Sequence, residues 1–525
     1  MLLTGASDDA RGGAAGAAAP AAEPTAAGAS AVRASAARTG QAAGACGLPA
    51  RLALPAALTG GLALAAAFPP VGAWPLAAVG PALLAVALWR RSMRGSMAVG
   101  LVFGLAFFFP LLSWLVNVAW YAWAALAVTE AVIFAVLAVG QRLLLSLRAW
   151  PLAVAGWWVA AEAVRARWPY AFPWGRLAMS QASAPTARWS AIGGAPLLTF
   201  VVALAGACLA WLLLAPPRGT ARATAARRRA LPALALAAAG GLALAGPLLP
   251  VDQGVPGGPA AMVAAIQGDV PHARNLPSLL RAATVTQNHA AATENLAAQV
   301  RAGTRPAPDV VLWPENSTDL DPGLNPSVYG TIQAAVDAIN RPVLVGAVLQ
   351  NPLRNAGQLW LPRRGPVAVY VKRQLVPFGE YIPFRGLLSH ITPLTALQPV
   401  NFTAGHRAVV FRRGKIRLGD VICYEVGFDG LVSSEVRAGA NLLAVQSNDA
   451  DFELDGQPGE SEQQIAMARI RAIESDRAVV YVSTTGESAI IAPDGSVIAH
   501  SGIWRPAVLE ARVPLRSSLT LADRV

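Results

Sequence analysis

The sequence predicts a helical, multi-span membrane region followed by a layered α/β domain. Three observations predict it. Hydrophobic residues make up 54% of the 525 and charged residues only 14%, against about 25% charged in a soluble globular chain. The apolar weight falls in runs of membrane-spanning length between residues 49 and 250. Beyond Val251, short β-rich runs alternate with helical patterns, as in a sheet covered by helices.

Residues 1–48 are rich in Ala, Gly, Pro and Thr without helical or strand periodicity, and read as a disordered tail. Cys46 has no apolar run before it, so neither a lipobox nor a cleavable signal peptide is expected there. A transmembrane helix needs roughly 20 apolar residues. Seven segments qualify as candidates: 51–69, 72–89, 95–116, 118–139, 149–165, 193–215 and 230–250. The net charge of +12 is not a nucleic-acid patch, because its arginines stand in short loops between these segments. Arg90, Arg91 and Arg94 follow the second segment, Arg142 and Arg148 the fourth, and Arg218, Arg222, Arg227, Arg228 and Arg229 the sixth. The positive-inside rule makes that side cytoplasmic, and seven spans then put everything after residue 250 outside. Arg167, Arg176 and Arg188, in the outer loop 166–192, are read as lipid headgroup contacts or plain interfacial charges. Within the apolar segments, Glu130 and Glu162 are costly and suggest function or pairing. The expected partner of Glu162 is Arg165, one turn on.

In the second region the strand-like runs are 262–267, 310–315, 342–348, 367–372, 418–425, 441–448 and 478–483, with helical patterns at 278–301, 326–339 and 460–475. Three reactive residues stand at strand ends: Glu315 closes VVLWPE, Lys372 closes VAVYVK, and Cys423 lies in LGDVICYE. Open α/β sheets place their active crevice where strands end. A thiol needs a base to become a thiolate, and an ammonium can stabilise the oxyanion that its attack creates. Each also has a plain reading: Glu315 as a surface residue, Lys372 as a solvated charge, Cys423 as a small buried hydrophobe. Cys46, Cys208 and Cys423 show no metal-ligand or disulfide spacing, and no metal or cofactor is expected.

The motifs WPE at Glu315, KxxLVPFGE from Lys372 to Glu380, and CYE at 423–425 resemble the nitrilase superfamily. With a helical membrane region ahead of them, they resemble its membrane-anchored branch, the bacterial apolipoprotein N-acyltransferases. QGDVP (267–271), FPWGRLAMSQ (172–181), SND (447–449) and MARIRAIESDR (467–477) extend the resemblance. It implies a nitrilase-like αββα sandwich with a Glu315–Lys372–Cys423 triad supported by Glu380, Tyr424 and Glu425. It implies a phospholipid as acyl donor, a Cys423 thioester, and the amine of a diacylated apolipoprotein as acceptor. The implied location is the bacterial inner (plasma) membrane, with the catalytic domain extracytoplasmic. Phe172 and Trp174 would wall acyl chains or form an interfacial aromatic belt. Leu276 departs from the family, which often has an aromatic residue near that position. The expected domains are a tail at 1–48, a membrane domain at 49–250, a catalytic domain at 258–515 and a stub at 516–525 where the family's final transmembrane helix is expected but not found. Two rivals stay open: a membrane-tethered nitrilase-type amidase, and a transporter or receptor with an outer sensing domain.

Overall fold

Each of the seven apolar segments contains a helix: α1 Ala50–Ala66, α2 Leu76–Leu88, α3 Met93–Leu111, α4 Trp120–Leu144, α5 Trp150–Arg165, α6 Ser190–Leu214 and α7 Arg222–Leu244. This computed structural model describes residues 48–215, 222–249, 258–271, 278–391, 395–396, 398–453 and 459–524. The segment read as a disordered tail, with Cys46, lies outside the described residues up to position 47, as do Arg218 and Leu276. Among the described residues three helices are long and apolar enough to cross a membrane: α3, α4 and the run Pro185–Leu214 that ends in α6. Shorter apolar helical stretches are Ala50–Ala66, Leu76–Leu88 and Arg229–Leu244; α2 has 13 residues, about 20 Å of rise. The third and fourth segments meet at a short 3₁₀ turn, Ser113–Asn117. Small residues let these helices approach closely: a side chain on Gly100 or Gly104 would collide with Ala138 or Ala131 of α4.

The second region is built from β1 Ala260–Gln267, α8 Ser278–Arg301, β2 Val310–Leu312, α9 Pro326–Ile339, β3 Val343–Leu349, β4 Arg354–Leu361, β5 Gly365–Val371 and α10 Arg385–Ile391. It continues with β6 Val410–Arg413, β7 Ile416–Ile422, α11 Asp429–Arg437, β8 Leu442–Ser447, α12 Glu460–Ser475, β9 Val479–Ser483, β10 Ala489–Ile491, β11 Val497–His500, β12 Ala507–Pro514 and α13 Leu521–Arg524. Among the described residues two six-stranded sheets form, in the orders β12-β1-β2-β3-β4-β5 and β11-β10-β9-β8-β7-β6. The parallel strands β1–β3 and β7–β9 occupy the sheet centres. They are buried on both faces, so they read as near-continuous apolar runs.

Alternate residues sort the layers. Val263, Leu312, Leu344, Leu418, Leu442 and Val480 pack between the sheets. Val311, Val343 and Val345 face Ile332 and Val336 of α9. On the second sheet Val421, Val445 and Tyr481 face Ile470 and Ile473 of α12. The result is the αββα sandwich. The core on the α12 side runs unbroken into the helical bundle, through Leu177, Ala195 and Leu198. Helix α12 is thereby held between a sheet and the bundle.

The loop after α5 joins the two regions. Arg176, read from sequence as an interfacial charge, is buried there and bonds Asp429 of α11 at 2.6 Å. Its other neighbour is Glu162, at 3.6 Å. The expected Glu162–Arg165 pair does not form. Arg165 instead reaches Glu130 of α4 at 2.6 Å, while Glu162 accepts from the Leu177 amide and from Thr199. A buried guanidinium takes the partner that the packing of several helices offers, and one helix's spacing does not reveal that partner.

Candidate active site

The tip of β7 carries the nucleophile candidate. Cys423 follows Ile422 directly and opens a 3₁₀ turn, Cys423–Gly427, with φ at +51°. A non-glycine residue in this left-handed region stores on the order of 1–3 kcal/mol and persists only where its surroundings enforce it. Glu425 does much of the enforcing. Its carboxylate accepts from the Ile422 amide at 2.8 Å, Tyr370 Oη at 2.8 Å, the Arg373 amide at 2.6 Å and the Gln374 amide at 3.0 Å. It thus ties the turn bearing Cys423 to the chain that follows Lys372.

Lys372 and Glu315 come from the other sheet. Glu315 follows β2 after Trp313-Pro314, and Lys372 follows β5; both are buried, which removes the solvated readings of each. Lys372 Nζ bonds Glu315 Oε1 at 2.9 Å and Glu380 Oε1 at 3.1 Å. Asn355 Nδ2 bridges the same two oxygens at 2.6 and 2.8 Å. The other Glu380 oxygen accepts from the Val376 amide at 2.8 Å, closing the loop that follows Lys372.

The charges set the protonation. Burial pushes the Glu315 carboxyl up from its ordinary value, Lys372 pulls it back, and Glu380 adds a further upward push. Desolvation works against the Lys372 ammonium, but Glu315 and Glu380 outweigh it and hold its pKa well above the usual lysine range. Burial, then the Glu315 charge, raise the Cys423 thiol well above its ordinary value, and Lys372 opposes them. A proton held this firmly leaves only when a base and a cation act together. Both stand within electrostatic reach of the sulfur.

On the bundle side Tyr424 Oη donates to the Ala171 carbonyl at 2.6 Å. Its ring stacks on Trp174, centroids 6.2 Å apart and 12° from parallel, and on Phe172 at 6.4 Å. Trp174 Nε1 donates to Gln463 Oε1 of α12 at 2.6 Å. The belt reading of Phe172 and Trp174 is therefore corrected. Both are buried in protein, because the loop that carries them is clamped between bundle and sandwich.

The sequence reading missed Asn355 and Gln464. Asn355 is a buried, polar, weakly β-forming residue in β4, a strand that went unrecognised. Gln464, in the polar run ESEQQ, places Nε2 3.4 Å from Cys423 Sγ. A polar run at the start of a helix otherwise buried among apolar residues was the available signal. Among the described residues no cluster of His, Cys, Asp or Glu is able to hold a metal ion.

Two family profiles match the chain: one described as the apolipoprotein N-acyltransferase N-terminal domain, over residues 60–208, and one described as carbon-nitrogen hydrolase, over 329–520. A protein named apolipoprotein N-acyltransferase from Mycolicibacterium smegmatis is 37% identical over 497 residues, 90% of this chain and 81% of that protein. One of the same name from Azotobacter vinelandii is 30% identical over 499 residues, 88% and 90% of the two chains. Among solved structures, an amidase from Nesterenkonia sp. aligns at 16% identity and a TM-score of 0.36 over 48% of this chain and 90% of its own.

Proposed function

The chain belongs to the apolipoprotein N-acyltransferase family, and from that premise we propose that Cys423 carries the acyl group, with Glu315 as base and Lys372 as oxyanion partner. It is an acyltransferase of lipoprotein maturation and a bacterial membrane protein. The observation that carries the triad is the buried Lys372–Glu315 bridge acting on the Cys423 thiol across the gap between the two sheets.

The first half-reaction starts with Glu315 taking the Sγ proton. The thiolate attacks the ester carbonyl of a membrane phospholipid. Lys372 supplies the ammonium that stabilises the oxyanion of the tetrahedral intermediate. On collapse the C–O ester bond breaks, the S–C bond of a thioester remains, and the proton passes from Glu315 to the departing lysophospholipid oxygen. In the second half the α-amine of a diacylglyceryl-cysteine attacks the thioester, giving up its proton to Glu315. An N–C bond forms, the S–C bond breaks, and the proton returns to Cys423. Glu380 and Asn355 hold Glu315 and Lys372 in register, while Glu425 holds the turn. Phe172, Trp174 and Tyr424 offer an aromatic wall against which acyl chains can lie.

Both substrates are lipids, and a membrane-held site spares the transfer of acyl chains into water, about 0.8 kcal/mol per CH₂. The loop arginines between α2 and α3 and between α4 and α5 support an inner-membrane protein with its site on the outer face. The same reading divides the chain into a membrane domain to residue 250 and a catalytic domain at 258–515.

Intact-mass analysis of the purified chain with phospholipid and no acceptor tests the triad. A fatty-acyl adduct is expected on the wild type and not on Cys423→Ala. An adduct that survives in Cys423→Ala, or none on the wild type, would overturn the thioester. Feeding the adduct an amine acceptor or water alone separates transfer from hydrolysis, and rapid release by water alone favours the amidase reading.

A further inference from the structure

We propose that Gln464 is a further catalytic residue, donating an amide hydrogen bond to the Cys423 sulfur, and that Glu460 is the positioning residue that aims it. The proposal rests on Cys423 being the nucleophile. Gln464 is fully buried on α12, with Nε2 3.4 Å from Sγ. A side-chain amide has two N–H donors on one side and an oxygen acceptor on the other, and its neighbours decide which faces where.

Here the neighbours decide for nitrogen. Glu460, one turn earlier on the same face, accepts from Gln464 Nε2 through Oε1, while Gln464 Oε1 meets no partner among the described residues. The carboxyl of Glu460 also hydrogen-bonds Asp449, and burial holds it well above the usual carboxylate range, so its proton lies toward Asp449. Asp449 collects Ser447 Oγ at 2.6 Å, Ser483 Oγ at 2.6 Å and Tyr481 Oη at 3.1 Å. With that proton committed to Asp449, Glu460 Oε1 is left as an acceptor. A flipped Gln464 would then set its own oxygen against it. The two amide hydrogens therefore go to Glu460 and to sulfur.

An N–H facing sulfur matters most when sulfur is charged, since charge-assisted hydrogen bonds are roughly twice as strong as neutral ones. The bond strengthens as the thiolate forms, weakens in the thioester, and strengthens again as the amine expels the sulfur. That differential is what accelerates a step. The groups acting on Cys423 are Glu315 after β2, Lys372 after β5, Asp449 after β8, Glu460 on α12 and Tyr481 on β9. Of these only Lys372 favours the thiolate, and Gln464 supplies a second favourable contact without adding charge.

The test is the pH profile of Cys423 alkylation by iodoacetamide in the full chain in detergent micelles, read on the Cys423 peptide. Gln464→Met keeps length and volume and removes the donor. Its midpoint is expected about one unit higher than wild type, with acyl-enzyme formation about tenfold slower. Glu460→Met keeps the length and removes the acceptor that aims the amide, and a smaller shift in the same direction is expected. Glu460→Gln, which mimics the protonated carboxyl, should leave the midpoint in place. If Gln464→Met loses its melting transition, Glu460→Met carries the test. Profiles of folded Gln464→Met and Glu460→Met that superimpose on the wild type overturn the proposal. Cys423→Ala is run in parallel: an acyl adduct retained there defeats the nucleophile assignment, whereas its loss with unshifted profiles defeats only Gln464.

Discussion

The helical bundle and the side-chain cluster around Cys423 both bury charge, and they balance it in opposite ways. In the bundle Glu130 meets Arg165 at 2.6 Å, and Glu162 has Arg176 at 3.6 Å and two further hydrogen-bond donors. In the sandwich the single ammonium of Lys372 serves both Glu315 and Glu380. Asp449, Glu453 and Glu460 gather with serine, tyrosine and glutamine partners rather than cations. A matched pair fastens one element to another and has no proton to exchange. An acid-rich cluster under burial must keep protons, and those protons can move. The contrast separates a scaffold from a site better than burial does, since Glu130 and Glu162 are as buried as Glu315 and Lys372.

Lys372→Met strikes the unbalanced side hardest. It removes the cation that Glu315 and Glu380 share, so acyl transfer is expected to fall on the order of 10³-fold. Stability should drop by about 3–5 kcal/mol, as when one partner of a buried pair is lost. Adding Glu380→Gln should restore part of the melting temperature and none of the transfer. If Lys372→Met transfers acyl chains at the wild-type rate, the oxyanion assignment is wrong.

Arg165→Met probes the balanced side. Glu130 would be left buried without its cation, at a cost of about 3 kcal/mol. Here the double variant Glu130→Gln with Arg165→Met should recover most of the loss, because a matched pair can be removed as a unit. The midpoint of Cys423 alkylation should stay put in the double variant. A shifted midpoint would mean the bundle pair tunes the site and does more than fasten it.

Glu453 gives the contrast a pH dependence. Burial, then Asp449, lift its carboxyl from 4.5 to about 8, while Ser461 donates to it from amide and hydroxyl at 2.9 and 2.5 Å. Between those values the folded chain holds a proton that the unfolded chain releases, so stability falls as pH rises from about 4.5 to about 8 and levels beyond. Glu453→Gln should flatten that slope. Melting temperatures at pH 5 and pH 8 measure it, and an equal drop in variant and wild type would place the proton elsewhere.

Much of this was legible in the sequence, for a physical reason. Parallel strands buried on both faces are uninterrupted apolar runs, so β1, β2, β3, β7, β8 and β9 could be seen, and Glu315, Lys372 and Cys423 were found by standing at strand ends. Strand β4 was not visible. RNAGQLWL breaks the apolar pattern with Asn355, which belongs to the site, and with Gly357, where any side chain would collide with Asp420 of β7. The edge strands β6 and β11 are short and half-exposed, and they carry little pattern. Partner choice was the other blind spot. Arg165 with Glu130, Arg176 with Asp429 and Gln464 with Cys423 are contacts across 35, 253 and 41 residues, and only packing brings them together.

Tyr424→Phe gives the smallest expected effect and tests where the two regions meet. The phenol donates to the Ala171 carbonyl at 2.6 Å, while its ring stacks on Trp174 and Phe172. Removing only the hydroxyl keeps the aromatic wall and loses one hydrogen bond, worth about 1 kcal/mol. Stability should change by no more than that. Because the ring still braces the turn from the bundle side, the Cys423 alkylation midpoint should not move and transfer should fall only a few-fold. Tyr424→Ala removes the wall itself, and its rate loss should exceed that of Tyr424→Phe. If the two variants lose rate equally, the hydroxyl and not the ring holds the nucleophile turn against the bundle, and the seam depends on one polar contact.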